Sequence, residues 1–311
     1  MQMGLTLYYY SVKISHANKN VKFTEVKNMK KFLAIALAAV MLFALAACGG
    51  NTDEGTDVVK IIDINLTEEE YAFGVDKNQP ELLEDVNEFI DKIMADGTFD
   101  AICNKYFGDG EPTPVKSAVE DPSKDQLVVA TNAAFAPFEY MEGDSYYGID
   151  MEIAALLAEE LGKELVINNM KFDSVCLSVG EHKCDIAMAG LTVNEKRQEV
   201  VNFSKSYYNA YQKLIVKADD TTFDACTDAA SVDAILNATE GAATVGYQNG
   251  TTADFYVNGD ADWGFDGLNV TAKGYDNGAL AVQDLINGNL DYVMIDADPA
   301  VRIVENYNAM G

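Results

Sequence analysis

YFGDGEPTPVKSAVEDPSKDQLVVATNAAFAPFEY, residues 106–140, reads as an ending followed by a beginning. Three prolines, two glycines and mostly polar residues fill 108–124, the composition of a linker. The run that follows, 127–131, is apolar and rich in valine, as a buried strand is. A chain that closes one folding unit near residue 110 and opens another near 125 needs an organisation that accounts for both halves.

Downstream of 125, strands and helices alternate. Strands are expected at 127–131, 164–168 and 185–189, with helices at 148–161 and 174–179. A second series opens with a strand at 211–217. It continues through strands at 243–248, 270–275 and 292–296, and helices at 252–257, 278–287 and 299–307. Two successive βαβ series predict two α/β domains with mixed, mainly parallel sheets. In such sheets ligands sit beyond the carboxyl ends of the strands.

Upstream, 58–64 (VVKIIDI) and 71–75 read as strands. A helix begins at Asn78-Gln79-Pro80, with Pro80 suited to its first turn. Leu82, Leu83, Val86, Phe89, Ile90 and Ile93 repeat at helical spacing, Asp96-Gly97 ends the run, and 99–106 makes a further short helix.

The N-terminal region is of a different kind. From Met29 the chain reads MKKFLAIALAAVMLFALAACGG: two lysines, an apolar run of 14 residues at 32–45, then small residues leading to Cys48. That order is a secretory signal, too short and wrongly flanked for a membrane span. Leu-Ala-Ala-Cys resembles the lipobox of bacterial lipoproteins, which implies cleavage before Cys48 and its lipidation. Residues 1–28 are read as an upstream extension, either untranslated or disordered, 29–47 as the signal peptide, and 48–57 as a lipidated tether.

Six of the 22 basic residues and one of the 50 acidic ones precede Cys48, so the mature chain of 264 residues carries a net charge of −33. So acidic a surface repels nucleic acid and anionic lipid, which makes both poor candidates for partners. Cys103, Cys176, Cys184 and Cys226 match no zinc spacing. Cys176 and Cys184 are a candidate pair in an oxidising compartment, with buried free thiols the alternative. His182 is the only histidine after Cys48, which leaves one base for any Ser-His or Cys-His chemistry, and it stands in a loop. No metalloprotease, P-loop or dinucleotide signature occurs. Asp260, Asp262 and Asp266 loosely follow a calcium loop without its twelfth-position Glu, so no metal is expected.

Five stretches fall at the expected strand ends: TNAAFAPFEY (131–140), NNMKFDSV (168–175), AGLTVNEKRQEVVNFSKSYY (189–208), GYQNGTTADFY (246–256) and DYVMIDADPA (291–300). Together they resemble the extracytoplasmic solute-binding proteins of polar amino-acid ABC transporters, bacterial solute-binding protein family 3. The likeness covers about 58–107 and 125–311. It implies a two-lobed periplasmic-binding-protein-like fold of type II, with two mixed-sheet α/β lobes joined by two crossing hinge strands. It also implies capture of an L-amino acid between the lobes and delivery to a membrane permease, without cofactor or covalent chemistry. The expected protein is a monomer, extracytoplasmic and lipid-anchored to the cell membrane. The alternatives are a dehydratase of the arogenate or prephenate type on the same fold, and the sensing subunit of a signalling receptor.

The chemistry of the matched residues is consistent with that implication. A zwitterion buried in a cleft needs partners for a carboxylate and an ammonium. Arg197 suits the carboxylate through two parallel hydrogen bonds, with a surface salt bridge to Glu195 or Glu199 as the alternative. Gly190 and Thr192 offer backbone groups and a hydroxyl at a strand end, and Gly250-Thr251-Thr252 opens a helix whose N–H groups suit the same carboxylate. Asp296 suits the ammonium, with a helix cap ahead of Pro299 as the alternative. Phe135 and Phe172 match positions whose rings sandwich a ligand side chain, with core packing as the alternative. Phe138 reads as structural, and Asp150 lies near the side-chain end.

Against the usual order of the family, the chain reads as circularly permuted. Residues 125–311 lack a strand to finish the second lobe, a return crossing, and the closing helices of the first. Residues 58–66, 67–71 and 72–107 look like those three parts. The expected organisation is lobe 2 at 58–66 and 212–311, hinge strands at 67–71 and 207–211, and lobe 1 at 72–107 and 125–206. Residues 108–124 then join the old termini, a span of roughly 20–25 Å as a flexible coil and about 56 Å at full stretch. The alternative is a truncated tandem duplication whose fragment pairs with another chain.

Overall fold

The computed structural model describes residues 57–238 and 243–310. The chain divides into the units Met1–Glu54 and Gly55–Gly311, and the fold is that of the second. Cys48, the signal and most of the tether lie outside the described residues.

Two five-stranded mixed sheets organise this unit, one per lobe. In lobe 1, β4 (Gln126–Thr131) runs parallel to β8 (Glu164–Asn169) and β9 (Ile186–Ala187). Then β3 (Gly74–Asp76) enters antiparallel between β9 and β10 (Val201–Phe203). In lobe 2, β13 (Thr244–Gln248) is flanked in parallel by β14 (Thr271–Tyr275) and β15 (Tyr292–Asp296). There β12 (Gln212–Lys217) and β1 (Val59–Ile62) complete the sheet in antiparallel fashion. Central strands such as Tyr292–Asp296 are buried along their whole length, which is why they read as near-continuous apolar runs.

The chain passes between the lobes twice. β2 (Glu69–Tyr71) lies between β1 of lobe 2 and β3 of lobe 1, and β11 (Tyr208–Ala210) lies between β10 and β12. They pair antiparallel as a separate ladder, Tyr208 opposite Tyr71 and Ala210 opposite Glu69. Residues 58–107 therefore contribute an edge strand to one sheet, an internal strand to the other and half of the crossing ladder.

Helices cover the sheets. Pro80 stands in the first turn of α1 (Pro80–Ala95), and Leu82, Val86, Phe89, Ile90 and Ile93 form its buried stripe. Following it are α2 (Thr98–Phe107), α3 (Ile149–Glu160), α4 (Phe172–Gly180) and α5 (Glu195–Val200). On lobe 2 lie α6 (Ala229–Ala238), α7 (Thr252–Asn258), α8 (Gly278–Ile286) and α9 (Ala297–Met310). Pattern reading missed α5, α6 and the hairpin β5–β7 (Ala134–Phe135, Glu139–Glu142, Ser145–Tyr147), all short or weakly periodic.

The stretch 108–124 differs from the flexible coil its composition predicts. Val115 is buried and bridges Tyr146, Ala118 N donates to Leu165 O at 2.8 Å, and Ile167 N donates to Ser117 Oγ at 2.8 Å. Val115 fastens the polar segment to β7, and Ser117 and Ala118 fasten it along β8, the outer strand of the lobe 1 sheet. Cys103, Cys176, Cys184 and Cys226 are all free thiols.

Candidate functional site

Arg197 owes its place to a helix cap. Asn194 precedes α5, and its Oδ1 accepts from Arg197 N at 2.8 Å, which fixes the first turn. The guanidinium donates through Nη1 to Thr192 O at 2.7 Å. Through Nη2 it reaches Gly250 O of the other lobe at 3.0 Å. The faces of Phe172 and Trp263 stand 5.2 and 5.9 Å from it. Burial draws its pKa below the ordinary arginine value. Among the described residues no carboxylate forms an ion pair with it, and neither Glu195 nor Glu199 serves as its partner.

Asp296 ends β15 and is 6 % exposed. Its Oδ1 accepts from the Tyr71 hydroxyl at 2.5 Å, while burial, and then the nearby Glu69 charge, push its pKa up to about 7. Tyr71 is fully buried, and its backbone bridges Thr192. Arg197 of lobe 1 and Asp296 of lobe 2 are thus joined through Thr192 and Tyr71.

Glu69, two residues earlier on the same strand, receives the hydroxyls of Thr192 and Thr252 at 2.7 and 2.6 Å. Thr251 caps α7 by position, but its hydroxyl turns back to Gln248 O at 2.8 Å. Gly190 has φ +51°, and a Cβ there would stand 2.9 Å from the Phe135 ring and 3.3 Å from that of Tyr71. The Gly190 amide donates to Asp150 Oδ2 at 2.9 Å, and Tyr207 donates to Asp150 Oδ1 at 2.6 Å. Burial raises Asp150 to about 7. Phe135 packs on Phe138, a ring that is itself edge-on to Tyr71, so it sits in a layer behind that ring.

Phe172, Thr192, Arg197, Thr252 and Asp296 therefore gather around Tyr71 and Glu69. Phe135 and Gly190 form the wall behind, and Thr251 faces the end of its own strand. Sequence reading missed Glu69, Tyr71, Asn132, Gln248 and Trp263. The alternation in Glu69–Tyr71, buried, exposed, buried, was the available signal for the first two. Gln248 Nε2 donates to Asn132 Oδ1 at 3.0 Å, so the ends of β13 and β4 touch across the lobes.

Further pairs cross the same cleft: Lys171 with Asp276 at 2.8 Å, and Lys196 with Asp260. The latter occupies the acidic loop that loosely follows a calcium site, and no cluster of three metal-ligating side chains exists among the described residues. A cavity of about 440 Å³ reaches Thr67, Glu69, Thr192, Thr252, Trp263 and Phe265, whereas two others of about 490 and 670 Å³ on lobe 1 touch no predicted site residue.

The profile of the bacterial extracellular solute-binding proteins, family 3, matches residues 5–109 and 127–298. The chain belongs to this family. This solute-binding protein is 35 % identical over 96 residues to the arginine-binding extracellular protein ArtP of Bacillus subtilis, an alignment spanning 31 % of the chain and 38 % of that relative. It is 25 % identical over 186 residues to the arginine-binding periplasmic protein of Mannheimia haemolytica, spanning 60 % of the chain and 69 % of the relative. Among solved structures, an ancestral arginine-binding protein bound to arginine superposes with a TM-score of 0.50 at 29 % identity, covering 59 % of this chain and 75 % of that one. The ancestral amino acid-binding protein AncCDT-1, a precursor of cyclohexadienyl dehydratase, gives 0.50 at 26 %, covering 58 % and 74 %.

Proposed function

We propose that the protein captures an L-amino acid between its lobes and delivers it to an ABC transporter permease, held to the membrane through a lipidated Cys48. The observation that carries this reading is Arg197, a cation half-buried between two aromatic faces, fixed by two carbonyls and, among the described residues, in no ion pair with a carboxylate. An α-carboxylate supplies that partner, and Asp296 faces the ammonium. Relatives named for arginine, histidine and cystine make those three the first to test. Calorimetry on the purified protein with the twenty amino acids and cystine should give one tight 1:1 ligand, and no binding to any overturns the reading. A dehydratase needs a placed acid–base pair. His182, however, pairs with Asp76 at 2.8 Å and touches Asn78, with no cleft residue among its partners.

The same reading includes the permuted order. Asn308 Oδ1, near the end of α9, accepts from Val58 N and Val59 N at 2.9 and 3.2 Å. The end of one block thus abuts the start of the other, where the usual family order would run on without a break. The family profile matches the chain in two separate blocks, 5–109 and 127–298, and one relative matches it over 186 residues, close to the length of 125–311.

A further inference from the structure

The acidic loop 259–267 of lobe 2, which follows a calcium site only loosely, receives a cation from the facing lobe instead. Its neck is tight: a Cβ on Gly267 would stand 2.9 Å from Gly259 N, and Leu268 N donates to Val257 O at 2.9 Å. Asp260 and Phe265 pair through both backbone groups, at 2.9 and 3.0 Å, around the single turn Ala261–Trp263. Asp260 Oδ1 accepts from Asp262 N at 3.0 Å, which fixes the carboxylate, and its Oδ2 accepts from Lys196 Nζ of lobe 1.

Lys196 and Arg197 are consecutive on α5, and both reach this loop. Beyond its pairing with Asp260, Lys196 Nζ lies 3.7 Å from Asp262 and 5.7 Å from the centre of the Phe255 ring. The Arg197 guanidinium stands 5.9 Å from Trp263, which stacks on Phe255 at 5.0 Å and on Phe265 at 6.0 Å. Two adjacent cations of one lobe thus meet a row of three rings and two carboxylates of the other. The Asp260 side chain is only 11 % exposed, so this pair is less screened than an ordinary surface bridge. The bond with Lys196 holds the Asp260 carboxyl below its ordinary value, and the same bond raises Lys196. Neither group changes charge in the neutral range, so salt rather than pH governs the contact.

We propose that loop 259–267 is a clasp for Lys196: it holds the lobes together through an ion pair that no bound amino acid needs to touch, and so sets how readily they part. Lys171 with Asp276 makes a similar crossing, but both of its side chains are more than half exposed, so Lys196 is the stronger hold. Trp263 is the only tryptophan in the chain, and the clasp therefore carries its own reporter. Parting the lobes removes Arg197 from one face of the indole and admits solvent there.

Acrylamide quenching of Trp263 fluorescence, measured on the purified protein with no amino acid added, tests this. Lys196→Gln and Asp260→Asn should each raise the quenching constant about twofold at low salt, as the indole loses its cover on the Arg197 side. Raising NaCl from about 0.02 to about 1 M should do the same to wild type and leave both variants nearly unchanged. The double variant should quench like either single one, because the two side chains act through one contact. Equal quenching in wild type and Lys196→Gln at low salt overturns the proposal. So do additive effects of the two variants, which mean that each residue acts on the indole without the other. With any amino acid that binds, release followed by stopped flow at Trp263 should be about threefold faster or more in Lys196→Gln, and an unchanged rate also overturns the clasp. If no amino acid binds, the amino-acid reading fails while the quenching result still decides this one.

Discussion

Tyr71 and Asp296 share a 2.5 Å hydrogen bond that ties a crossing strand to the last strand of lobe 2. The same tyrosine bridges Thr192 of lobe 1 through its backbone, so one buried residue touches both sides of the cleft. Relative movement of the lobes must therefore be absorbed around it, and the chemistry of the site follows from how it holds its neighbours.

Arg197→Ala is expected to raise the Kd for an amino acid by a factor corresponding to about 2–5 kcal/mol, because a carboxylate is then enclosed without its cation. Arg197→Lys should recover little of this, since an ammonium cannot serve two carbonyls and a carboxylate in one plane. Calorimetry on both variants, with fold verified by circular dichroism, checks the expectation.

Affinity should depend on pH through Asp296. With its carboxyl raised to about 7, the group is protonated in mildly acidic solution and must lose that proton to face an ammonium. Binding is expected to tighten by about tenfold per unit as pH rises towards 7, then level off. Titrations at pH 6 in buffers of different ionisation enthalpy should register the release of about one proton, and Asp296→Asn should show neither effect.

Asp150 makes a separate prediction about stability. Its folded value of about 7 lies far above the ordinary 3.8, so the folded chain binds the extra proton between those limits. Its stabilising contribution is present below about pH 4 and is lost as pH rises through 7. Asp150→Asn keeps an acceptor for the Gly190 amide without the buried charge. It should melt higher than wild type at pH 8, by on the order of 2 kcal/mol, and show no such gain at pH 4.

Gly190→Ala places a methyl within 2.9 Å of Phe135 in a left-handed backbone conformation. A loss of about 1–3 kcal/mol in stability is expected from overpacking, with weaker binding because Tyr71 must shift. Denaturant titration alongside calorimetry separates the two effects.

The proposed permuted order is tested by undoing it. A chain running from 125 to 311, then through a short Gly-Ser joint into 58–107, should fold as a monomer and bind with wild-type affinity. The contact of Asn308 with Val58 means that the joint spans a small gap. An unfolded product, or retained binding after simple deletion of 58–107, counts against permutation.

Much of this architecture was legible in the chain. Alternating series after residue 125 and the stripe Leu82, Val86, Phe89, Ile90 and Ile93 carried the two-lobed fold, because burial on both faces or along one stripe leaves strong periods. Arg197 and Asp296 stood out because they fall in stretches that resemble the family's strand-end motifs. Glu69 did not: it lies in a run of three glutamates, and only its alternation with Glu70 distinguishes a buried acceptor from a solvated charge. Trp263 ends a single 3-10 turn (Ala261–Trp263), and no local pattern encodes a stacking contact with Arg197. The course of 108–124 was hidden because Val115 is a single apolar residue in a polar context.

That last segment has a consequence for behaviour in a crowd. The outermost strand of a sheet carries free backbone groups, an open invitation to a strand from another molecule and hence to self-association. Here Ser117 and Ala118 already satisfy Ile167 N and Leu165 O, so part of that row is spoken for. The connection that lets the chain cross from one block to the next also serves as a guard rail, covering part of that edge against a strand from a neighbouring copy.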